Sequence, residues 1–322
     1  MIIDNKLIKE PKISLIITYY NLGKYVQDCV LSILNQEYEN FEIIIVNDNS
    51  DEENSTILNN LTHEKIKIIN LKKNVGQLLA FKEGLKYSTG EFVCMIDADD
   101  VLLPNYLKTL LYVHLNNNYA FVSASSGEIN EFGEVISLNY ISNHKKTNKK
   151  IDYSEIENLF NQDESFEVKK VNAPFGLWSW NPSTSAMFRR SALKILDFYL
   201  DNEYWKTGAD KVIFSLLHLI GGSANISAVC FLYRHHKENN SQTTSSVGNK
   251  KYLKESYVEK LIEWNVKLRC DSIKMLILNK KELIFEFNKI NYLKMLLRVI
   301  FCINIKTCAK VLKAFAHRLI QY

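Results

Sequence analysis

The chain has 322 residues, 47% of them hydrophobic and 24% charged, with six cysteines and a formal net charge of +4. That length and balance fit one large domain with an appendage, or two domains, and exclude a disordered or fibrous chain. The charge is uneven: residues 288–322 carry seven Lys and Arg and no Asp or Glu, so the preceding 287 residues sum to −3. The basic end predicts contact with an anionic surface. No basic motif interleaved with aromatics points to nucleic acid. The cysteines form no CxxC pair and sit mostly in apolar runs, as small buried residues of a reducing compartment do. The first ten residues hold no apolar core of signal-peptide length. Residues 212–233 lack Lys, Arg, Asp and Glu, but His218, Gly221, Gly222, Ser223, Asn225 and Ser227 interrupt them. A buried helix, a glycine turn and a strand fit that run better than a membrane span.

In chain order, Ile13 to Thr18 reads as a strand, Asn21 and Gly23 as a turn, and 24–36 as a helix with Tyr25, Val26, Cys29, Val30, Ile33 and Leu34 at helical spacing. Phe41 to Val46 is a second strand, ending at Asn47-Asp48-Asn49-Ser50-Asp51, where Ser50 or Asp51 caps the next helix. Ile66 to Leu71 is a third strand, and Asn74-Val75-Gly76 opens an amphipathic helix to about Tyr87. Glu91 to Ile96 is a fourth, its run from Phe92 to Ile96 unbroken in apolar residues and so buried on both faces, and it stops at Asp97, Asp99 and Asp100. This alternation predicts a mostly parallel sheet with right-handed crossovers. The polar clusters Thr18-Tyr19-Tyr20-Asn21, Asp48, Lys72-Lys73-Asn74 and Asp97–Asp100 all fall at strand ends, which converge on one edge of such a sheet. Carboxylates crowded at a buried strand end call for a divalent cation with oxygen ligands; the plainer reading is a solvated acidic turn that caps the next helix.

A helix opened by Pro104 runs to about Asn116, and Tyr119 to Ala124 is a strand. Ser125 to Lys150 reads as a hairpin followed by a mobile loop. In the stretch from Ala173 to Arg190, Trp178 and Trp180 flank a polar turn and Ser185 to Phe188 returns to the sheet. Trp178, Trp180 and Ser185 suit a sugar-binding surface, since aromatic faces pack on pyranose C–H faces and hydroxyls meet hydroxyls; the alternative is that both tryptophans are core. Asp210 stands near the start of the helix 211–220, as an N-cap or as a general base. Phe231 to Ser241 ends a strand at Arg234, His235 and His236, with the two histidines on opposite sides. Residues 241–250 form a linker or lid. Two helices follow, at about 250–280 and 282–322; the second is basic and amphipathic, suited either to a membrane interface or to packing on the body. Removal of 288–322 is expected to leave the fold intact.

The ordered series SLIITYYN, FEIIIVNDNSDEEN, NVG, STGEFVCMIDADD, PSTSAMFRR, GAD and YRHH resembles the family 2 glycosyltransferases over roughly residues 12–240. The resemblance implies the α/β GT-A fold over residues 1–240, with a nucleotide-sugar half at about 12–104 and an acceptor half at about 105–240. Residues 241–322 are then a helical C-terminal region. It implies an enzyme that moves one hexosyl or N-acetylhexosaminyl unit, with inversion, from a UDP- or dTDP-sugar. The acceptor is a hydroxyl of a glycan, lipid-linked or glycoprotein acceptor, as in bacterial surface polysaccharide synthesis, and Mn²⁺ or Mg²⁺ is the cofactor. Asp210 matches the catalytic base, although Ala209 replaces an often acidic neighbour. Thr18, Tyr20, Asn21, Asp48, Asn74 and Asp97 fall to nucleotide binding, with Tyr20 stacked on the base and Asp48 accepting its N3–H. Asp99 and His236 fall to the metal, with His235 as competitor to His236, and Trp178, Trp180 and Ser185 to the acceptor. No glutamine begins the QxxRW motif of processive members, so a single-addition enzyme is expected, cytoplasmic and peripheral at the inner face of a membrane. The C-terminal helices offer a way to pair chains. A sugar nucleotidyltransferase and an inactive glycan-binding or scaffold protein are the competing readings; the first lacks a glycine-rich phosphate loop after strand one.

Overall fold

In the computed structural model, which describes residues 2–3, 6–7, 10–137, 166–172, 175, 179–199, 204–237, 239 and 255–301, the four apolar runs of the first hundred residues lie side by side. They are β1 (Ile13–Tyr19), β2 (Phe41–Asn47), β3 (Ile66–Asn70) and β4 (Phe92–Asp97), all parallel, in the order β3-β2-β1-β4. Between them run α1 (Gly23–Leu34), α2 (Glu52–Asn59) and α3 (Gln77–Tyr87). The period-two pleat splits β1 between two cores. Ile13, Leu15 and Ile17 pack with Val26, Cys29, Val30 and Ile33 of α1, while Ile16 packs with Leu78 and Phe81 of α3. Of the two candidate caps for α2, Asp51 does the work: its Oδ1 accepts the Asn54 N–H at 2.9 Å.

The sheet continues through β5 (Val101–Leu102), β6 (Phe121–Asn130), β7 (Val135–Ser137), β8 (Val168–Lys170), β9 (Ala186–Arg189) and β10 (Ser223–His235), with α4 (Tyr106–Asn116) and α5 (Ala209–Gly221) packed on it. The path is β8-β10-β6-β9-β4-β1-β2-β3, with β5 on β10 and β7 on β6. β9 is the antiparallel joint between the halves: Met187 pairs with Cys94 on one side and with Val122 on the other.

Two expectations shift. α4 starts two residues after Pro104, because β5 pairs with β10 and the Leu103 N–H donates to Cys230 O at 2.9 Å. β6 runs six residues past Ala124. Its Ser125 and Glu128 are buried, and Ser125 Oγ donates to Ile226 O at 3.0 Å, so polar side chains continue a strand. The expected hairpin is present, turning between Asn130 and Glu134; residues 138–165 lie outside the described residues.

Among the described residues the C-terminal region forms three helices, α6 (Glu255–Leu278), α7 (Lys280–Phe287) and α8 (Lys289–Phe301). Asn288, at φ 60°, breaks the single helix expected from 282, and its Oδ1 accepts the Asn291 N–H at 3.0 Å to start α8. Leu268, Met275, Leu276, Leu283, Tyr292, Met295 and Val299 share one buried cluster with Trp205 and Phe214 of the body. Among the described residues no helix is long and apolar enough to cross a membrane.

Candidate active site

The carboxyl ends of β1 and β4 meet where the strand order reverses, and Thr18 pairs directly with Asp97 there. In open α/β sheets that crevice is the general ligand position. One residue past β2, Asp48 is buried, and its two carboxylate oxygens accept the N–H groups of Val75 (2.7 Å) and Gly76 (2.8 Å). Burial raises the Asp48 carboxyl above its ordinary range against these two donors. Gly76 has φ 84°, and a Cβ there would lie 2.4 Å from Lys206 Cα, so only glycine lets the two segments touch. Asn74 immediately precedes this loop, partly buried. Tyr20 directly follows β1, with 49% of its surface exposed. Asn21 is pinned instead: its Oδ1 accepts the Asp51 N–H at 3.0 Å and its own N–H donates to Ser50 Oγ. Its side-chain oxygen ties the β1–α1 loop to the β2–α2 loop.

Asp97 sits between Gln77, whose Nε2 donates to Oδ1 at 2.7 Å, and Ser183, whose Oγ donates to Oδ2 at 2.5 Å. Burial, then the neighbouring charges of Asp99 and Asp210, push its carboxyl up to about 7. Asp210 lies within electrostatic reach of Asp97, although 113 residues separate them in sequence. Asp99 Oδ2 meets His236 Nε2 at 2.8 Å and Asn239 Nδ2 at 3.3 Å. The His236 ring rests on Tyr25, centroids 4.6 Å apart. Arg234 is buried; its Nε donates to Asp99 O at 2.8 Å, and one terminal nitrogen donates to Asp28 at 3.1 Å. Asp100 accepts the Arg234 N–H on Oδ1, while its buried Oδ2 has no partner. Burial and the charges of Asp99 and Asp97 raise Asp100 well above the usual carboxylate range.

Between the two histidines the geometry chooses His236. β10 ends at His235, which is exposed and lies 3.7 Å from Glu128, and the next residue turns into the acidic cluster. Asp210 is the second residue of α5; its Oδ1 accepts the Lys211 N–H at 2.8 Å, and burial raises its carboxyl above the ordinary range. A desolvated carboxylate whose proton affinity is raised is better suited to accept a proton than an exposed one.

The acceptor expectation needs correction at two residues. Trp180 is core: its ring lies 5.5 Å from Phe121 and 5.9 Å from Phe214, and its Nε1 donates to Ser223 Oγ at 2.9 Å. Ser185 is fully buried, 2.8 Å from Ser123 Oγ. Neither presents a surface to a sugar, because the Phe121–Phe188–Phe214 cluster needs an apolar neighbour and β6 needs a hydroxyl. Trp178 lies outside the described residues. The turn they flank serves Asp97 instead, through Ser183 and through Thr184, whose Oγ1 accepts the Asp97 N–H at 3.1 Å. Sequence reasoning missed Gln77, Ser183, Asn239 and Tyr25. Only Gln77 carried a local signal, as the first helical residue after Asn74-Val75-Gly76.

Among the described residues no group of three or more His, Cys, Asp and Glu side chains is gathered to hold a metal ion. The donors do suit a cation completed by substrate. Asp99 and His236 are in contact, Asp97 is two residues away, and Asp100 keeps an unpartnered buried oxygen. Mg²⁺-type sites commonly take one or two carboxylates and leave the remaining positions to phosphates and water.

The sequence model described as Glycosyl transferase family 2 matches residues 14–196. A glycosyltransferase of Nostoc sp. named alr2836 is 28% identical over 76% of this chain and 70% of its own length. GlyG of Streptococcus pneumoniae is 32% identical over 30% of this chain and 33% of its own. A Haemophilus influenzae glycosyltransferase is matched over 34% of its length and a Rickettsia bellii one over 19%, so the chain spans only a part of several relatives. The crystal structure of S. aureus TarS residues 1–349 in complex with UDP-GlcNAc superposes with a TM-score of 0.56 at 16% identity, over 92% of this chain and 83% of that one. At that identity the likeness shows the GT-A fold.

Proposed function

The chain belongs to glycosyl transferase family 2, and we propose that it is an inverting, metal-dependent enzyme that moves one hexosyl or N-acetylhexosaminyl unit. The donor is a UDP- or dTDP-sugar, and the acceptor is a hydroxyl of a growing glycan or lipid-linked saccharide. The observation that carries this reading is the meeting of Asp99 with His236, 137 residues apart, beside Asp97 and within the field of Asp210. The neighbouring fold of TarS, described with UDP-GlcNAc bound, supports a nucleotide-sugar donor.

In this reading Tyr20 stacks on the base at the mouth of the crevice. Asp48 keeps free lone pairs beyond the two N–H groups it accepts, and these take the N3–H of uracil or thymine. Asp97, steered by Gln77 and Ser183, lies toward the ribose and sugar. Asp99 and His236, 2.8 Å apart, would hold Mn²⁺ or Mg²⁺. The cation supplies charge compensation on the leaving diphosphate. Asp210 takes the proton of the attacking acceptor hydroxyl, general-base help worth roughly 10²–10⁴-fold. Inversion follows from an in-line attack opposite the departing diphosphate.

A thermal-shift panel of UDP, dTDP, GDP, CMP and ADP, each with and without Mn²⁺, tests the donor side. Stabilisation by UDP or dTDP that requires Mn²⁺ is expected; at a hundredfold excess over Kd it amounts to about 2.7 kcal/mol. No response to any nucleotide would sink the proposal.

A further inference from the structure

α8 has two apolar faces, and the body covers one of them. Tyr292, Met295 and Val299 are buried in the main core; the Tyr292 hydroxyl donates to Leu276 O at 3.1 Å, and Arg298 donates to Leu219 O at 2.7 Å. With one residue every 100°, Ile290, Leu293 and Leu297 fall on the opposite side of the helix. All three are exposed, at 66%, 46% and 51%. Phe285, on the helix before, is 90% exposed, while its neighbour Leu283 is fully buried. A surface helix ordinarily turns charge to water on its outer side. Here the outer side is apolar, and Lys289 and Lys294 are the charges beside it. Residues 288–301 contain no Asp or Glu, and residues 302–322 add Lys306, Lys310, Lys313 and Arg318, again without an acid.

We propose that the outer face of α8 lies on an anionic lipid surface, with Ile290, Leu293, Leu297 and Phe285 in the boundary of the acyl chains and the lysines at the headgroups. An apolar stripe edged by cations is the pattern of an interfacial helix. Charge selects lipid over a second copy of the chain. In a two-fold contact the same surface meets itself, so Lys289 and Lys294 would face their own equivalents across an apolar seam. Anionic headgroups instead draw in lysines near the surface. The placement rests on the fold alone and does not depend on the proposed transferase chemistry.

The test is co-sedimentation of the full chain with phosphatidylcholine vesicles, with and without 30% phosphatidylglycerol, at about 0.1 M and about 0.5 M salt. Binding to the anionic vesicles that weakens at high salt is expected. Leu293→Ser with Leu297→Ser should weaken it about tenfold, and Lys289→Gln with Lys294→Gln should weaken it on anionic vesicles only. All four side chains point outward, so the melting temperature should hold within a few degrees and separates lost binding from lost fold. Absence of binding, equal binding to both vesicle types, or full binding by the leucine pair variant overturns the proposal. Light scattering that shows a dimer dissociated by the leucine pair also overturns it and assigns the face to self-association. Because vesicle binding needs no turnover, its failure is distinguishable from failure of the transferase reading.

Discussion

At the scale of the residue, Asp210 and Asp97 carry opposite expectations. Asp210→Asn keeps the shape and the hydrogen bond to the Lys211 N–H but cannot take a proton. Release of UDP from UDP-sugars should fall by roughly 10²-fold or more, while Mn²⁺-dependent UDP binding, read by thermal shift, stays near that of the parent. Loss of both would make Asp210 structural. Asp97 speaks through pH. Its carboxyl is pushed up to about 7, first by burial and then by Asp99 and Asp210, so below neutrality a cation must displace a proton to bind. A raised folded-state value favours the protonated form. The metal-free protein therefore loses this contribution as pH climbs from about 4 through 7. The cation reverses the trend: the Mn²⁺-induced rise in melting temperature should be larger at pH 8 than at pH 6, and Asp97→Asn should flatten the difference. An equal shift at both pH values would remove Asp97 from the cation's surroundings. The acids were legible in the sequence because a buried strand ending in carboxylates is a local pattern. Trp180 and Ser185 were not, because their neighbours Ser223, Phe214 and Ser123 lie 43, 34 and 62 residues away.

Among the elements, α6 decides how Asp210 is aimed. Gly208 precedes α5 at φ 75°, and a Cβ on it would come within 2.9 Å of the Trp264 ring. Trp264 also packs on Trp205, centroids 5.7 Å apart, and Tyr204 donates to Glu263 at 2.6 Å. The segment before Asp210 is therefore held between α6 on one side and, through Lys206, the Gly76 loop on the other. Trp264→Ala should cost about 2 kcal/mol, less than the 3–5 typical of a fully buried aromatic because the ring is only partly buried. It should lower kcat more than it weakens UDP binding, and Trp264→Phe should recover much of the loss. Equal loss of both parameters would mean general loosening. His114 of α4 gives a second reading at this scale. Burial lowers its imidazole to about 4 while Nε2 lies 2.9 Å from Met187 O of β9. A depressed value means stability that is full above about 6.5 and lost as pH falls through 4, so acid should first loosen the joint between β9 and α4. His114→Gln should shrink the loss of melting temperature between pH 6.5 and 4; an unchanged slope would place the acid-sensitive group elsewhere. Helical spacing revealed α4 and α5 as elements. No spacing could reveal that α6 abuts Gly208, since that contact joins residues 56 apart.

For the whole molecule, the division into a catalytic body and a C-terminal appendage does not follow the core. The alternation of strands and helices predicted the parallel half, because each βα unit is written within some thirty residues. The joint at β9 and the seating of α6 to α8 are long-range, and composition pointed instead to a separable basic tail. One buried cluster runs from Ile16 on β1 through Phe214 on α5 to Val299 on α8. Removal of 288–322 is therefore expected to do more than abolish surface contacts. It strips Tyr292, Met295 and Val299 from that cluster and exposes the apolar neighbours they cover. At about 1.5–3 kcal/mol for each of the three buried side chains, the loss comes to about 4.5–9 kcal/mol, an upper estimate because an unfolded chain already hides part of its apolar surface. Against a total stability of about 5–15 kcal/mol, the shortened chain should melt far lower or fail to fold. Thermal unfolding followed by circular dichroism decides between the two pictures. A large drop in melting temperature, within a single transition that UDP and Mn²⁺ shift as a unit, is the expected result. A truncated chain that melts with the parent would restore the appendage. The same cooperativity explains why α8's outward face must be probed by side-chain substitutions in the intact chain: deletion would remove the proposed lipid contact and the floor of the core together.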